Sequence, residues 1–116
     1  MKKKNFPRRN EIYMAELAET ADSVQYGRRP VLIVQNDVGN QNSTTTVVAP
    51  LTSRGKNYLP THVEVGPESG LPYPSTVLCE QLVTVSIGML EKRMGKVTDP
   101  KILAEIDQAL RCSLGL

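Results

Sequence analysis

The segment "GRRPVLIVQN", residues 27–36, decides how the fold is organised. Apolar side chains at four consecutive positions, 31–34, would cover both faces of a strand, which is typical of a central, doubly covered strand. Two arginines and a proline stand directly before this run, at the start of the predicted strand 30–36. A basic pair there is either a solvated strand end or a group that holds a phosphate, and the function depends on which.

Size and composition bound the class of protein. The chain of 116 residues fits a single domain, 1–116, with its own hydrophobic core. Cys79 and Cys112 form no ligand cluster, so we expect reduced, mostly packing thiols in a cytoplasmic protein. No apolar stretch is long enough to span a membrane, and the basic N-terminus is not followed by the apolar segment of a secretory signal.

Most of the chain has β-type patterns, and its end has a helical one. Strands are predicted at 11–17, 30–36, 44–53, 59–65, 75–80 and 82–86, with a turn at 37–43. Pro50 cannot donate to a ladder and therefore predicts an edge or a bulge. Asp99 is the predicted N-cap of a terminal helix, 99–112, with Pro100 at its first position and Arg111 in its last turn. We predict a mainly β protein, a small antiparallel β-barrel closed by one C-terminal helix.

Positive charge is concentrated in the first half of the chain. The net charge is +2, but residues 1–60 hold nine Lys or Arg against five Asp or Glu. The first ten residues contain five cations and no acid: Lys2, Lys3, Lys4, Arg8 and Arg9. A solvated basic surface and a nucleic-acid partner both remain open on this pattern.

A hairpin brings the basic pair to a second polar segment. If strands 30–36 and 44–53 pair about a turn centred between Asn40 and Gln41, Arg29 lies opposite Thr52. The segment "TSRGK", 52–56, then meets Arg28 and Arg29 at one end of the barrel, together with Arg54, Lys56 and the hydroxyls of Thr52 and Ser53. Guanidinium and hydroxyl groups together are what binding a phosphodiester requires.

Other chemistries find little support in the residues. The single histidine, His62, offers no pair for acid–base work, and a lone strand histidine is more often structural. The acids are scattered without metal-ligand spacing, no glycine loop is followed by the lysine that cradles phosphate, and neither cysteine has an activating base beside it. Two possibilities remain: electrostatic catalysis by an arginine with a hydroxyl partner, or binding without catalysis.

Several segments, in their order and spacing, resemble one bacterial toxin family. "RRNEIYMAEL", "GRRPVLIVQND", "VVAPLTS", "LPTHVEV" and "VLCEQLVTV" are similar to the MazF/PemK/Kid toxins of toxin–antitoxin systems, over nearly the whole chain. The resemblance implies an SH3-like β-barrel that works as a homodimer and cleaves single-stranded RNA, chiefly mRNA, at specific sequences without a metal or other cofactor. It also implies a cognate antitoxin as inhibitor.

The resemblance also assigns roles to individual residues. Arg29 and Thr52 correspond to the family's catalytic pair, which the hairpin register had already brought together. RNA-binding positions are implied for Ser23, Gln25, Ser53 and Gln81, and the basic residues Arg28, Arg54 and Lys56 join them. Cleavage by the RNA's own 2′-hydroxyl, leaving a cyclic phosphate and a 5′-hydroxyl, is the implied reaction.

The sequence departs from the family pattern at two places. The sequence has Arg9-Asn10-Glu11 where "RGD" is common, and Val24 where the loop usually carries an acid, so a mechanism that needs that acid is in doubt.

Two other functions remain as alternatives to the ribonuclease. The same fold occurs in CcdB-type toxins, which bind DNA gyrase and cleave nothing, and an RNA-binding regulator with an inactive site is a third alternative. Arg29 could also merely cap the barrel or pair with Glu80. Tyr26 and Tyr58 lie in loops suited to stacking on unpaired bases.

Overall fold

The structure, a computed structural model, describes residues 5–19, 24–53 and 58–116. It contains seven strands: β1 (Glu11–Leu17), β2 (Gly27–Ile33), β3 (Thr45–Thr52), β4 (His62–Val65), β5 (Ser75–Leu78), β6 (Val83–Ser86) and β7 (Leu90–Lys96). Two α-helices, α1 (Asp37–Asn42) and α2 (Pro100–Leu114), and two 3-10 helices (Pro67–Ser69 and Ile87–Met89) complete the described part. The predicted class, mainly antiparallel β-sheet with a C-terminal helix, is confirmed.

All the strand pairings are antiparallel. The order along the sheet is β4-β5-β3-β2-β1-β7, and β6 pairs with the first half of β3. Among the described residues no ladder joins the end strands β4 and β7. Instead, the backbone at Ser69 and Gly70 packs directly against Met94 and Gly95, so closely that a Cβ atom on either glycine would collide with the opposing main chain. Gly70 also has a φ of 99°, which an L side chain rarely adopts.

The central strand is covered on both sides, as its sequence predicts. Val31, Leu32 and Ile33 are fully buried. Leu32 belongs to the larger apolar cluster, which α2 covers through Ile106, whereas Val31 and Ile33 belong to a smaller cluster on the other side. β2 begins at Gly27, earlier than predicted, because residues 27–30 pair with β1 despite their polarity.

The terminal helix has the predicted signals. Asp99 caps α2, its carboxylate accepting a hydrogen bond from the N–H of Lys101 at 2.9 Å, and Pro100 stands at the first helical position. Arg111 lies in the last turn, and Gly115 ends the helix in the left-handed conformation. In the same region Cys112 is exposed, so its prediction as a packing thiol is wrong, whereas Cys79 is buried as predicted.

Two other elements differ from prediction. Residues 37–42 form the helix α1 rather than a turn, because the Asn36 side chain caps it and the fully buried Asn40 amide ties it to β3 through Thr46. β7 was not predicted at all, because four of its seven residues are charged and exposed, Glu91, Lys92, Arg93 and Lys96, and the strand shows no apolar alternation.

Candidate active site

The register of the central hairpin is the one that the sequence predicts. Val31 pairs with Pro50, Leu32 with Ala49 and Ile33 with Val48. Extended by two residues, this register sets Arg29 opposite Thr52. Among the ladders of the described residues, however, the β2–β3 ladder ends at Val31 and Pro50. Beyond that point β2 keeps its pairing with β1 on its other edge, and β3 keeps its pairing with β5.

One proline explains why the strands part at this point. Pro30 lies opposite Leu51 in this register and has no N–H, so it cannot donate the next ladder hydrogen bond to the Leu51 carbonyl. Pro50, expected at an edge or a bulge, marks the end of the β2–β3 ladder. The carbonyl of Leu51 is left facing β2 and accepts a long hydrogen bond, 3.5 Å, from Nη1 of Arg29. A gap therefore opens between the strands where the arginine lies.

The Arg29 side chain is held by two main-chain carbonyls and has no acidic partner among the described residues. Its Nε donates to the carbonyl of Tyr26 at 2.9 Å, which orients the guanidinium toward Leu51. Within the described residues, no carboxylate lies within ion-pair distance of it. The proposed pairing of Arg29 with Glu80 is wrong. As far as the described residues go, the outer guanidinium nitrogen therefore faces no carboxylate and can meet an anion.

A cleft of about 280 Å³ joins the predicted catalytic pair to other predicted residues. It is lined by Arg28, Arg29, Thr52 and Ser53. Thr52 is the last residue of β3, is only 4% exposed, and pairs with Thr76 of β5, so its position is set by two strands. Ser53 follows it and is exposed. An arginine and two hydroxyls facing one open cleft can bind a phosphodiester and stabilise additional negative charge on it.

Arg28 and the N-terminal arginines are engaged elsewhere. The Nε of Arg28, on β2, lies 2.8 Å from Oε1 of Glu91, on β7, in an exposed ion pair. Arg9 donates to the carbonyl of Val34 at 2.7 Å and to the carboxylate of Asp107 at 2.9 Å. Arg8 lies over the ring of Phe6, 4.3 Å from its centroid. Arg9 therefore holds the N-terminal segment against the residue after β2 and against α2, whereas the side chain of Arg8 packs on a ring of its own segment.

The predicted loop residues Gln25 and Gln81 meet at a neighbouring cleft. The backbone N–H of Gln25 donates to the side-chain carbonyl of Gln81 at 2.8 Å. Both line a cleft of about 320 Å³, as do Pro50 and the exposed Val24. Since Pro50 lines this cleft and Leu51 and Thr52 line the first, consecutive residues of β3 connect the two.

Some predicted residues lie outside the described residues. These are Ser23, Arg54, Lys56 and the three lysines at positions 2–4. Of the tyrosines predicted to stack on bases, Tyr26 is 47% exposed and Tyr58 83% exposed, and Tyr26 also supplies the carbonyl that holds Arg29.

His62 has a structural partner. Its Nε2 lies 2.9 Å from Oε2 of Glu80, its side chain is 5% exposed, and Thr61 donates to the other carboxylate oxygen. Burial raises the pKa of Glu80, but the hydrogen bonds from His62, from its own backbone and from Thr61 outweigh burial and lower that pKa overall. Sequence reasoning missed this cluster, which ties the start of β4 to the turn that carries Gln81.

Two lining residues of the first cleft were also missed. Tyr73 and Ser75 come from the segment "LPYPS", whose prolines signal a rigid loop but not which strand end it approaches. By contrast, the Cys79 thiol next to Glu80 is inert, because burial and the Glu80 charge raise its pKa to about 12.

Two further searches concern the described residues alone. In that part of the chain, no three His, Cys, Asp or Glu side chains are grouped as metal ligands. No helix within it is long and apolar enough to cross a membrane.

An antiparallel sheet with a C-terminal helix, and an arginine and a threonine that line one cleft at a strand end, define the class: a mainly β protein with a cationic cleft. A family model, "PemK-like, MazF-like toxin of type II toxin-antitoxin system", matches residues 8–114, and the chain belongs to this family.

Solved structures of other proteins share the fold over nearly the full chain. An endoribonuclease from Mycobacterial species, in complex with its cognate antitoxin, is 31% identical with a TM-score of 0.80, over 95% of this chain and 96% of that chain. Mycobacterium tuberculosis toxin MazF-mt6 is 27% identical with a TM-score of 0.77, over 91% and 97%. MazF from Deinococcus radiodurans is 23% identical with a TM-score of 0.81, over 97% and 99%, and shows the fold alone.

Proposed function

We propose that this toxin is a sequence-specific, metal-independent endoribonuclease that cleaves single-stranded RNA, chiefly mRNA, and is inhibited by a cognate antitoxin. The observation that supports this function most directly is the position of the Arg29 guanidinium. The carbonyls of Tyr26 and Leu51 hold it in the cleft that Thr52 and Ser53 line. Family membership and the likeness to a mycobacterial endoribonuclease support the same activity.

The reaction is transesterification. The 2′-oxygen attacks the adjacent phosphorus, the bond to the 5′-oxygen of the next nucleotide breaks, and a cyclic phosphate and a 5′-hydroxyl result. The outer guanidinium nitrogens of Arg29 contact the non-bridging oxygens and stabilise the added negative charge, and Thr52 donates a hydrogen bond to the same group. Arginine stays protonated, with a pKa above about 12, so it is no general base and the base is not assigned. Val24, exposed beside Gln25, offers no carboxylate for that step.

Incubation of the purified protein with a long single-stranded RNA, followed by mapping of the cut ends, tests this function. Cuts at one short sequence, with cyclic-phosphate and 5′-hydroxyl ends, are expected. RNA binding without cuts would identify an inactive regulator instead, and gyrase binding without RNA binding would identify a CcdB-like toxin. Gln25, Gln81, Ser53, Arg28, Ser23, Arg54 and Lys56 are the residues proposed to contact RNA.

An acidic, disordered antitoxin segment would use the same charges as RNA. Arg29, which pairs with no carboxylate of the described residues, and Arg28, which stays exposed although it pairs with Glu91, favour such a segment. Folding on binding makes the inhibitor easy to remove by proteolysis. When the cognate antitoxin is titrated into a cleavage reaction, it should therefore displace RNA from the protein and stop cleavage. If saturating antitoxin binds while RNA binding and cleavage continue unchanged, the two ligands do not share a site.

A homodimer and a cytoplasmic location complete the proposal. Three exposed apolar side chains, Val24, Val83 and Met89, line the cleft of Gln25 and Gln81, and grouped exposed apolar residues are typical of protein–protein contacts. Light scattering after size-exclusion chromatography should give twice the monomer mass of 12.8 kDa. Val83→Asp places a charge on the exposed apolar group and should lower the measured mass toward that of the monomer.

A further inference from the structure

The cleft that holds the catalytic pair has a second, apolar part. Its polar part is formed by Arg29, Thr52 and Ser53, whereas Met14, Leu71 and Met94 contribute apolar side chains. Ligand pockets typically combine an apolar lining with a few polar groups. The volume of about 280 Å³ lies just below the range of ~300–1,000 Å³ typical of drug-sized ligands, so the cleft suits a single nucleotide unit.

Tyr73 stands at this cleft with its ring available. The side chain is 65% exposed, and its hydroxyl has no hydrogen-bond partner among the described residues. Exposed aromatic rings beside a charged groove are the usual platforms for unpaired bases, because every base has a π-face. The ring is not part of either apolar cluster, so its removal leaves the core intact.

The loop that carries Tyr73 is held in place. Pro72 and Pro74 flank it and restrict the backbone on both sides. The Ser75 hydroxyl donates to the carbonyl of Tyr73 at 3.0 Å. Further back, Gly70 packs against the backbone of β7 without room for a side chain. A ring on so restricted a loop loses little entropy when a ligand stacks on it.

We propose that Tyr73 is a stacking subsite for an unpaired nucleobase of the RNA whose phosphate lies at Arg29 and Thr52. The inference rests on the proposed ribonuclease function and adds a base contact to the phosphate contacts. Since stacking is sequence-tolerant, Tyr73 sets affinity and the position of the strand, and hydrogen bonds elsewhere set the sequence.

The test uses a single-stranded oligoribonucleotide that spans a mapped cut, with a 2′-O-methyl group on the attacking nucleotide so that it cannot be cut. Tyr73→Ala should bind it about 5- to 150-fold more weakly than the wild type, the range for loss of one stacked base. Tyr73→Phe keeps the ring and should bind like the wild type. 2-Aminopurine placed beside the cut should be quenched by the wild type and Tyr73→Phe, and not by Tyr73→Ala.

Val38→Ala is the matched control, because Val38 is 74% exposed on α1, beyond the opposite end of β2. Unchanged binding by Tyr73→Ala, equal weakening by Tyr73→Phe, or equal weakening by Val38→Ala would each overturn the stacking subsite. Failure of the ribonuclease function itself is distinguishable: the wild type then cuts no RNA, or Arg29→Ala cuts at the wild-type rate.

Discussion

Arg29→Ala should abolish most of the cleavage activity while leaving the fold intact. The Nε of Arg29 is occupied by the Tyr26 carbonyl and its Nη1 by only a 3.5 Å contact, so the fork can offer two N–H groups to the phosphate. Loss of one donor to a developing negative charge typically costs ~100–1,000-fold in kcat. We therefore expect Arg29→Ala to lose at least ~1,000-fold, and Thr52→Val, which removes one donor at nearly constant volume, ~100–1,000-fold.

Single-turnover cleavage of a short RNA around a mapped cut measures these losses directly. Arg29→Lys should also lose most of the activity, because an ammonium cannot present a two-pronged donor. Arg111→Ala on the exposed end of α2 is the matched control, since it removes the same charge far from the cleft. Circular dichroism and thermal unfolding establish that each variant is folded. A folded Arg29→Ala protein that cuts at the wild-type rate would refute the assignment.

Three other expectations concern the nucleophile and the fold. A single deoxyribose on the 5′ side of the scissile phosphate should block the cut and EDTA should leave the rate unchanged; loss of activity with EDTA that Mg²⁺ restores would contradict the mechanism. Burial raises the pKa of Glu11, but hydrogen bonds from Arg8, Arg93 and Tyr13 lower it overall, so Glu11 stabilises the fold above its ordinary pKa of 4.5 and less as pH falls. Glu11→Gln should thus cost about 1–3 kcal/mol in urea unfolding at pH 7, with the difference shrinking below that pKa; a pH-independent difference would contradict this. Asn40→Ala should cost about 2 kcal/mol or more, because it leaves the buried Thr46 hydroxyl without its acceptor, and an unchanged urea midpoint would contradict that role.

The elements that the sequence predicts are those whose signals are local. The run 31–34 is apolar at every position, and it forms the covered strand. Asp99 and Pro100 set the start of α2 within one turn of chain. The hairpin register followed from the position of its turn, and α1 replaced the turn without shifting that register, because its helical residues still connect the same strand ends.

The elements that were missed depend on contacts between distant segments. β7 is a strand because β1 offers it a free edge, and its exposed charges carry no pattern of their own. Arg28 and Arg29 look like loop residues, but pairing with Glu16 and Ala15 draws them into β2. The approach of Tyr73 to Arg29 depends on how the Gly70 segment packs on β7, which no short stretch of sequence encodes.

The position of the cleft follows from the backbone more than from its polar side chains. A continuous β2–β3 ladder would have filled the space between Arg29 and Thr52 with paired main chain. Pro30 removes the donor there, β3 continues beside β5, and the freed Leu51 carbonyl becomes a ligand for the guanidinium. This proline therefore creates both the opening and the contact that orients the arginine within it. The proposed site at this strand end needs little beyond an arginine and a hydroxyl, because β2 and β3 have already separated at that point.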